Sequence, residues 1–145
     1  MGTYTSAAPS PAPSIPFGYW MECYRKYATS SGRARRAEYW SFTLANAIIM
    51  IPLYMLAFGS AIMSGGAEAG GAMGMVGMVI YCVYALSTIV PSIAVAVRRL
   101  HDTGRSGWWF LICLIPVIGA LVLLVFMVLD SQPGTNEYGP NPKAQ

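Results

Sequence analysis

Three stretches of the chain run without a charged residue, Tyr39–Ala67, Ala69–Val97 and Ser106–Leu129. Each exceeds the roughly 20 residues that an α-helix needs to cross about 30 Å of hydrocarbon. None carries the continuous polar face that a helix of a water-soluble bundle turns to solvent. The pattern predicts membrane-spanning helices near Tyr39–Met63, Met73–Val97 and Trp108–Leu129, with Gly65, Gly66, Gly70 and Gly71 around Glu68 forming the first turn. Ahead of them, residues 18–28 change period: Trp20, Tyr24 and Tyr27 fall on one helical face, and Glu22, Arg25 and Lys26 lie largely on the other. This predicts a short N-terminal interfacial helix, either at headgroup depth or packed on the bundle. The expected fold is an all-α membrane protein, a three-helix transmembrane bundle over residues 18–130. A Pro/Ala/Ser-rich tail (1–17) precedes it and a turn-rich tail (131–145) follows.

Composition agrees with a lipid environment: 55% of the 145 residues are hydrophobic and 10% charged, against about 25% charged in soluble domains. The placement of charge adds orientation. Arg25, Lys26, Arg33, Arg35 and Arg36 precede the first span, Arg98, Arg99 and Arg105 lie between the second and third, and only Lys143 follows the third. The positive-inside rule puts the first two groups in the cytoplasm, so the N-terminus is expected inside and the C-terminus outside. Trp40, Trp108 and Trp109 fall at the same predicted boundary, where indole rings anchor helices in the headgroup zone. The cysteines, Cys23, Cys82 and Cys113, are odd in number and lack metal-ligand spacing. The N-terminus has neither the basic flank nor the apolar core of a cleaved signal.

Two polar segments stand out: Gly32-Arg33-Ala34-Arg35-Arg36-Ala37-Glu38-Tyr39-Trp40, and Arg98-Arg99-Leu100-His101-Asp102-Thr103-Gly104-Arg105-Ser106-Gly107-Trp108-Trp109. A third is the tail Gly134-Thr135-Asn136-Glu137-Tyr138-Gly139-Pro140-Asn141-Pro142, of the form G-x-N-x-Y-G-x-x-P. Through these motifs, over about Tyr19 to Pro142, the sequence resembles domain-of-unknown-function family 805, small bacterial inner-membrane proteins. It departs at Ser30, where similar proteins often carry Phe, and in its Pro-rich leader. The resemblance implies a bacterial inner-membrane location and a shared fold; it supplies no reaction, ligand or catalytic residue.

Read as chemistry, the two collar motifs bring guanidinium groups, Glu38, Asp102 and His101 to one membrane surface. One expectation is structural pairing of the arginines with Glu38 and Asp102, fixing how the helices pack, with His101 in the same structural group. The other is that Arg33, Arg35, Arg36, Arg98, Arg99 and Arg105 contact anionic lipid or a partner, each surface cation contributing about 1 kcal/mol near an anionic leaflet. His101 and Asp102 are adjacent, and adjacent helical residues do not face one another, so no catalytic pair is expected. Gly104 and Gly107 fit a tight turn better than a phosphate loop.

No acid or base lies inside the spans, which disfavours a proton-coupled pump. Pro52, Pro91 and Pro116 are read as shape, and Asn46, Ser87, Thr88 and Ser92 as interhelical hydrogen-bonding residues. Gly66, Gly70 and Gly74 form overlapping G-x-x-x-G steps, so self-association or a membrane-protein partner is an expectation. No cofactor, metal or nucleic acid is expected. The reading is a noncatalytic scaffold or accessory protein of the membrane; the alternatives are a small oligomeric channel or transporter component, and an enzyme acting on lipid headgroups.

Overall fold

A computed structural model of the chain describes residues 16–63 and 71–143. The described residues form four α-helices and one 3-10 helix: α1 (Pro16–Arg25), α2 (Arg36–Met63), α3 (Ala72–Asp102), the 3-10 helix (Gly107–Leu114) and α4 (Ile118–Val128). Residues 1–15 of the Pro-rich leader, and Gly66 and Gly70 of the G-x-x-x-G pattern, lie outside the described residues.

α2 and α3 are long and apolar enough to cross a membrane. At 1.5 Å per residue, their 28 and 31 residues reach about 42 and 46 Å. They run antiparallel: Glu38 pairs with Arg98, Asn46 accepts a hydrogen bond from Tyr84 at 2.7 Å, and Gly77 lies against Leu56 and Ala57. The buried strip of α3 is small or lightly polar (Gly74, Gly77, Thr88, Pro91, Ala94), as close helix packing in lipid requires. Both helices continue through their prolines, Pro52 and Pro91.

The large apolar side chains are outside. Leu44, Ile48, Ile51 and Met55 form a stripe on α2, and Met75, Val79, Val83, Leu86, Val90 and Ile93 form one on α3. Val79 is 63% exposed and Leu86 67%. Such stripes invert the pattern of a soluble helix and match a hydrocarbon solvent.

α1 packs on the bundle. Its Cys23 is buried with Ala34, Phe42 and Val95, and Trp20 and Tyr24 lie over that cluster. The Tyr24 ring centroid is 4.7 Å from that of Trp20 and 5.9 Å from that of Phe42.

The stretch expected to be a third straight span, Trp108–Leu129, is not one helix. The 3-10 helix and α4 form an antiparallel hairpin, with Trp109 against Phe126 (centroids 5.6 Å apart) and Gly119 against the Ile112 carbonyl. Eight residues at about 2 Å per residue, then eleven at 1.5 Å, give arms of about 16 Å, each roughly half a membrane. The reversal is local chemistry. Pro116 has no N–H to continue the ladder, and a γ-turn follows in which Ile118 N–H donates to Pro116 O at 2.7 Å around Val117 (φ 63°, ψ −63°). A side chain at position 119 could not fit, because its Cβ would sit 1.7 Å from the Ile112 oxygen.

Candidate functional site: the polar cap

The two collar motifs and the C-terminal tail meet at one end of the molecule. α3 finishes there with Arg98, Arg99 and Asp102, all buried. Neighbouring helical positions diverge by about 100°, so Arg98 turns to α2 while Arg99 turns to the linker and the end of α4. Asp102, one turn beyond Arg99, shares its side.

Asp102 is the centre. Arg33 Nε donates to its Oδ1 at 2.9 Å, Ser131 Oγ donates to Oδ2 at 2.5 Å, and Arg99 Nη1 also donates to Oδ2. The remaining donors of the two guanidinium groups reach main-chain carbonyls. Arg33 donates to Gln132 O at 2.6 Å, Gly134 O at 2.9 Å, and Gly139 O and Asp102 O at 3.3 Å. Arg99 donates to Met127 O at 3.3 Å, Ala34 O at 3.4 Å, and Leu129 O. Five N–H donors in a rigid plane suit arginine, and not lysine, to gathering carbonyls from several segments. The main chain adds Ala34 N–H to Arg98 O at 3.1 Å and Gln132 N–H to Asp102 O at 2.9 Å.

A second buried carboxylate, Glu38, comes from the first turn of α2. It accepts from Arg98 Nη1 at 2.8 Å and from the Cys23 thiol at 3.8 Å. Arg98 Nε and Nη2 are buried without a hydrogen-bond partner. Burial, and then the Glu38 carboxylate, pushes the Cys23 thiol up to about 12. That thiol is inert at neutral pH.

The outer layer is exposed. Arg36 pairs with Asp130 at 3.1 Å and donates to Val128 O at 3.2 Å; Lys143 contacts the same carboxylate. The hydrogen bond from Lys143, with those from nearby donors, holds Asp130 below the usual carboxylate range. Arg105 lies 4.2 Å from the Phe126 ring centroid, and Arg35 is half-buried.

His101 is not paired with Asp102. Its ring stacks on Tyr138 of the tail, centroids 3.9 Å apart and 3° from parallel, and its Nδ1 lies 3.3 Å from Gly32 O. A carbonyl only accepts, so a neutral imidazole carries its proton on Nδ1. Burial lowers the His101 pKa and favours that neutral form. Asn136 Nδ2 donates to His101 O at 2.9 Å and to Gln132 Oε1 at 3.0 Å. Gly104 (φ 72°) turns α3 into the hairpin in the left-handed region, which favours glycine, and lies against the Gln132 side chain.

Two expectations change. Arg33, Arg98 and Arg99 are candidates for lipid or partner contact in the sequence, with structural pairing as the other expectation, and here their side chains are buried to within 2% of complete and directed at protein atoms. The tail, expected across the membrane from the collar, lies against it, because Arg33 and Arg99 hold Leu129, Gln132 and Gly134 there. Trp108 and Trp109 are exposed and Trp40 marginally so, at 38%, all near this end. Sequence reasoning missed Cys23, Ser131, Gln132, Asn136 and Tyr138 as cap residues. The tail motif was the available signal for the last of these, since a G-x-N-x-Y-G pattern in a free tail has nothing to specify it. Among the described residues no group of three His, Cys, Asp or Glu side chains could hold a metal ion.

The model of the family described as "Protein of unknown function (DUF805)" matches residues 27–140. The chain belongs to the DUF805 family. Its match includes every partner of Asp102 and leaves out α1. Among relatives, the chain is 39% identical to Inner membrane protein YhaI of Escherichia coli (strain K12) over 125 residues, covering 86% of this chain and 95% of that protein. It is also 39% identical to Inner membrane protein YhaH of the same organism over 127 residues, covering 88% and 98%. No solved structure matches this DUF805 chain.

Proposed function

We propose that this protein is a noncatalytic scaffold of the bacterial inner membrane. In this reading α2 and α3 cross the bilayer, the 3-10/α4 hairpin enters and leaves by one face, and the polar cap and both termini lie in the cytoplasm. The cap docks on anionic lipid headgroups. The observation that carries the reading is the division of labour among the arginines. Arg33, Arg98 and Arg99 are consumed inside the cap, while Arg25, Lys26, Arg36 and Arg105 keep exposed surface, and Trp108 and Trp109 are exposed as well. Apart from Glu68, which lies outside the described residues, the chain's nine cations face five carboxylates, a surplus of four positive charges. The positive-inside rule orients that surplus to the cytoplasm, and the family's inner-membrane relatives supply the location.

Binding of the reconstituted protein's cap to vesicles containing anionic phospholipid tests this. Replacing Arg25 and Lys26 together by Ser should cost about 1 kcal/mol per cation, roughly fivefold each, at low salt. Unchanged binding, or binding insensitive to salt, contradicts the reading. A channel is the second reading, favoured by the hairpin's irregular backbone at membrane depth. Solute flux through sealed vesicles holding the purified protein supports it; tight vesicles remove it.

A further inference from the structure

The tip of the hairpin is the place where this chain is incomplete by itself. Pro116 cannot donate to the Cys113 carbonyl, and the γ-turn diverts Ile118 N–H to Pro116 O. Among the described residues, the carbonyls of Cys113 and Leu114 and the N–H of Val117 therefore form no hydrogen bond. The residues that carry them lie at the surface: Cys113 is exposed, Leu114 is 76% exposed and Val117 72%. Arms of half a membrane thickness put the tip near mid-depth, where water cannot solvate backbone groups and each bare one costs several kcal/mol. Non-helical backbone persists at that depth only when protein or a water-filled cavity covers it. The side chains around the tip, Leu114, Ile115, Val117 and Ile118, are wholly apolar, which does not suit a water-filled cavity.

We propose that the hairpin tip is a homodimer interface, each copy covering the other's tip about a two-fold axis. The tip offers one bare donor and two bare acceptors within a few residues. A two-fold axis sets the Val117 N–H of one copy against the Leu114 or Cys113 carbonyl of the other, pairing the bare donor of each copy and covering the remaining carbonyl with the partner's apolar side chains. This self-complementarity selects a second copy over an unrelated helix, which would bring its backbone already hydrogen-bonded. The positive-φ Val117 is the cost of presenting the donor outward.

The inference rests on the re-entrant placement proposed above, and the chain's own cysteines test both. Cys113 is exposed beside the tip, Cys82 is exposed on the outer surface of α3, and Cys23 is buried. Native membranes holding two differently tagged copies are treated with a short, membrane-permeant bis-maleimide. The Cys82→Ala protein, whose exposed thiol is Cys113, should give a dimer carrying both tags in most molecules; the Cys113→Ala protein should give at least tenfold less. Absence of that dimer, a Cys113 crosslink only to other proteins, or modification of Cys113 by a charged, water-soluble maleimide would overturn the interface. A parallel sample with Thr135→Cys reports the tail. Labelling from the cytoplasmic side with no Cys113 dimer defeats the interface alone, and labelling from the outside defeats the re-entrant placement and the interface with it.

Discussion

The α2/α3 pair and the 3-10/α4 pair begin from similar material and end as opposites. Both are apolar, carry no charge away from the cap and include a proline, yet α2 and α3 run through Pro52 and Pro91 as single helices while the second pair folds back at Pro116. Proline alone is therefore not what decides. The ends decide: Gly107 is seated against Val97 and His101, and Leu129 and Asp130 are held by Arg99 and Arg36 at the same cap. A segment whose two ends are fixed to one face must turn back within its 23 residues, and Pro116, Val117 and Gly119 supply the turn. α2 ends and α3 begins away from the cap, where Gly77 lies against Leu56 and Ala57, so neither helix is tied back to it.

Removing the clasp should collapse that difference most. Asp102→Ala leaves Arg33 and Arg99 buried without their carboxylate, a change that costs about 3–5 kcal/mol in buried pairs. We expect a markedly lower unfolding midpoint in detergent micelles and tail residues beyond Leu129 open to protease. A tail that stays protected contradicts the clasp. Next in size, Gly119→Val forces a side chain into the Ile112 carbonyl and should destabilise by about 1–3 kcal/mol. Gly59→Ala in α2, where nothing lies within 4 Å, should be neutral or slightly stabilising. Equal effects at the two glycines would mean the hairpin is not tightly packed. Val117→Gly removes the positive-φ penalty and should raise stability by about 1 kcal/mol.

The smallest effect is in pH. His101 has a lowered folded pKa, so its contribution to tail docking is complete above the usual imidazole value of about 6.5 and is lost as pH falls through the lower folded value. Asp130 behaves in the same direction at lower pH, weakly, because it is exposed and screened by salt. Tail proteolysis should rise on acidification, and His101→Phe, which keeps the stack on Tyr138, should remove the first step. An unaltered pH profile in that variant would assign the step elsewhere.

What was legible in the sequence follows the same division. α2 and α3 were visible because length without charge is a sufficient signal for them. The residues of the third run passed the same test and were misread, since apolar length says nothing about where the following tail is tied. That tie is made by Arg33 to residues 99 and more positions away, a separation no local pattern encodes. Pro116 and Gly119, three residues apart, were the readable hint. The pairing of Arg98 and Arg99 with carboxylates was foreseen as one of two alternatives. Burial decided between them, and a run of cations in a polar motif looks the same whether it is solvated or enclosed.

Arg33 and Arg99 clasp the tail to the cap at the end from which α2 departs. Labelling Thr135→Cys with a membrane-impermeant maleimide, in a background with Cys82→Ala and Cys113→Ala, tests it most directly. Modification is expected in inside-out membrane vesicles and none in intact spheroplasts. Modification in intact spheroplasts, with inside-out vesicles silent, would contradict it and restore a third full crossing.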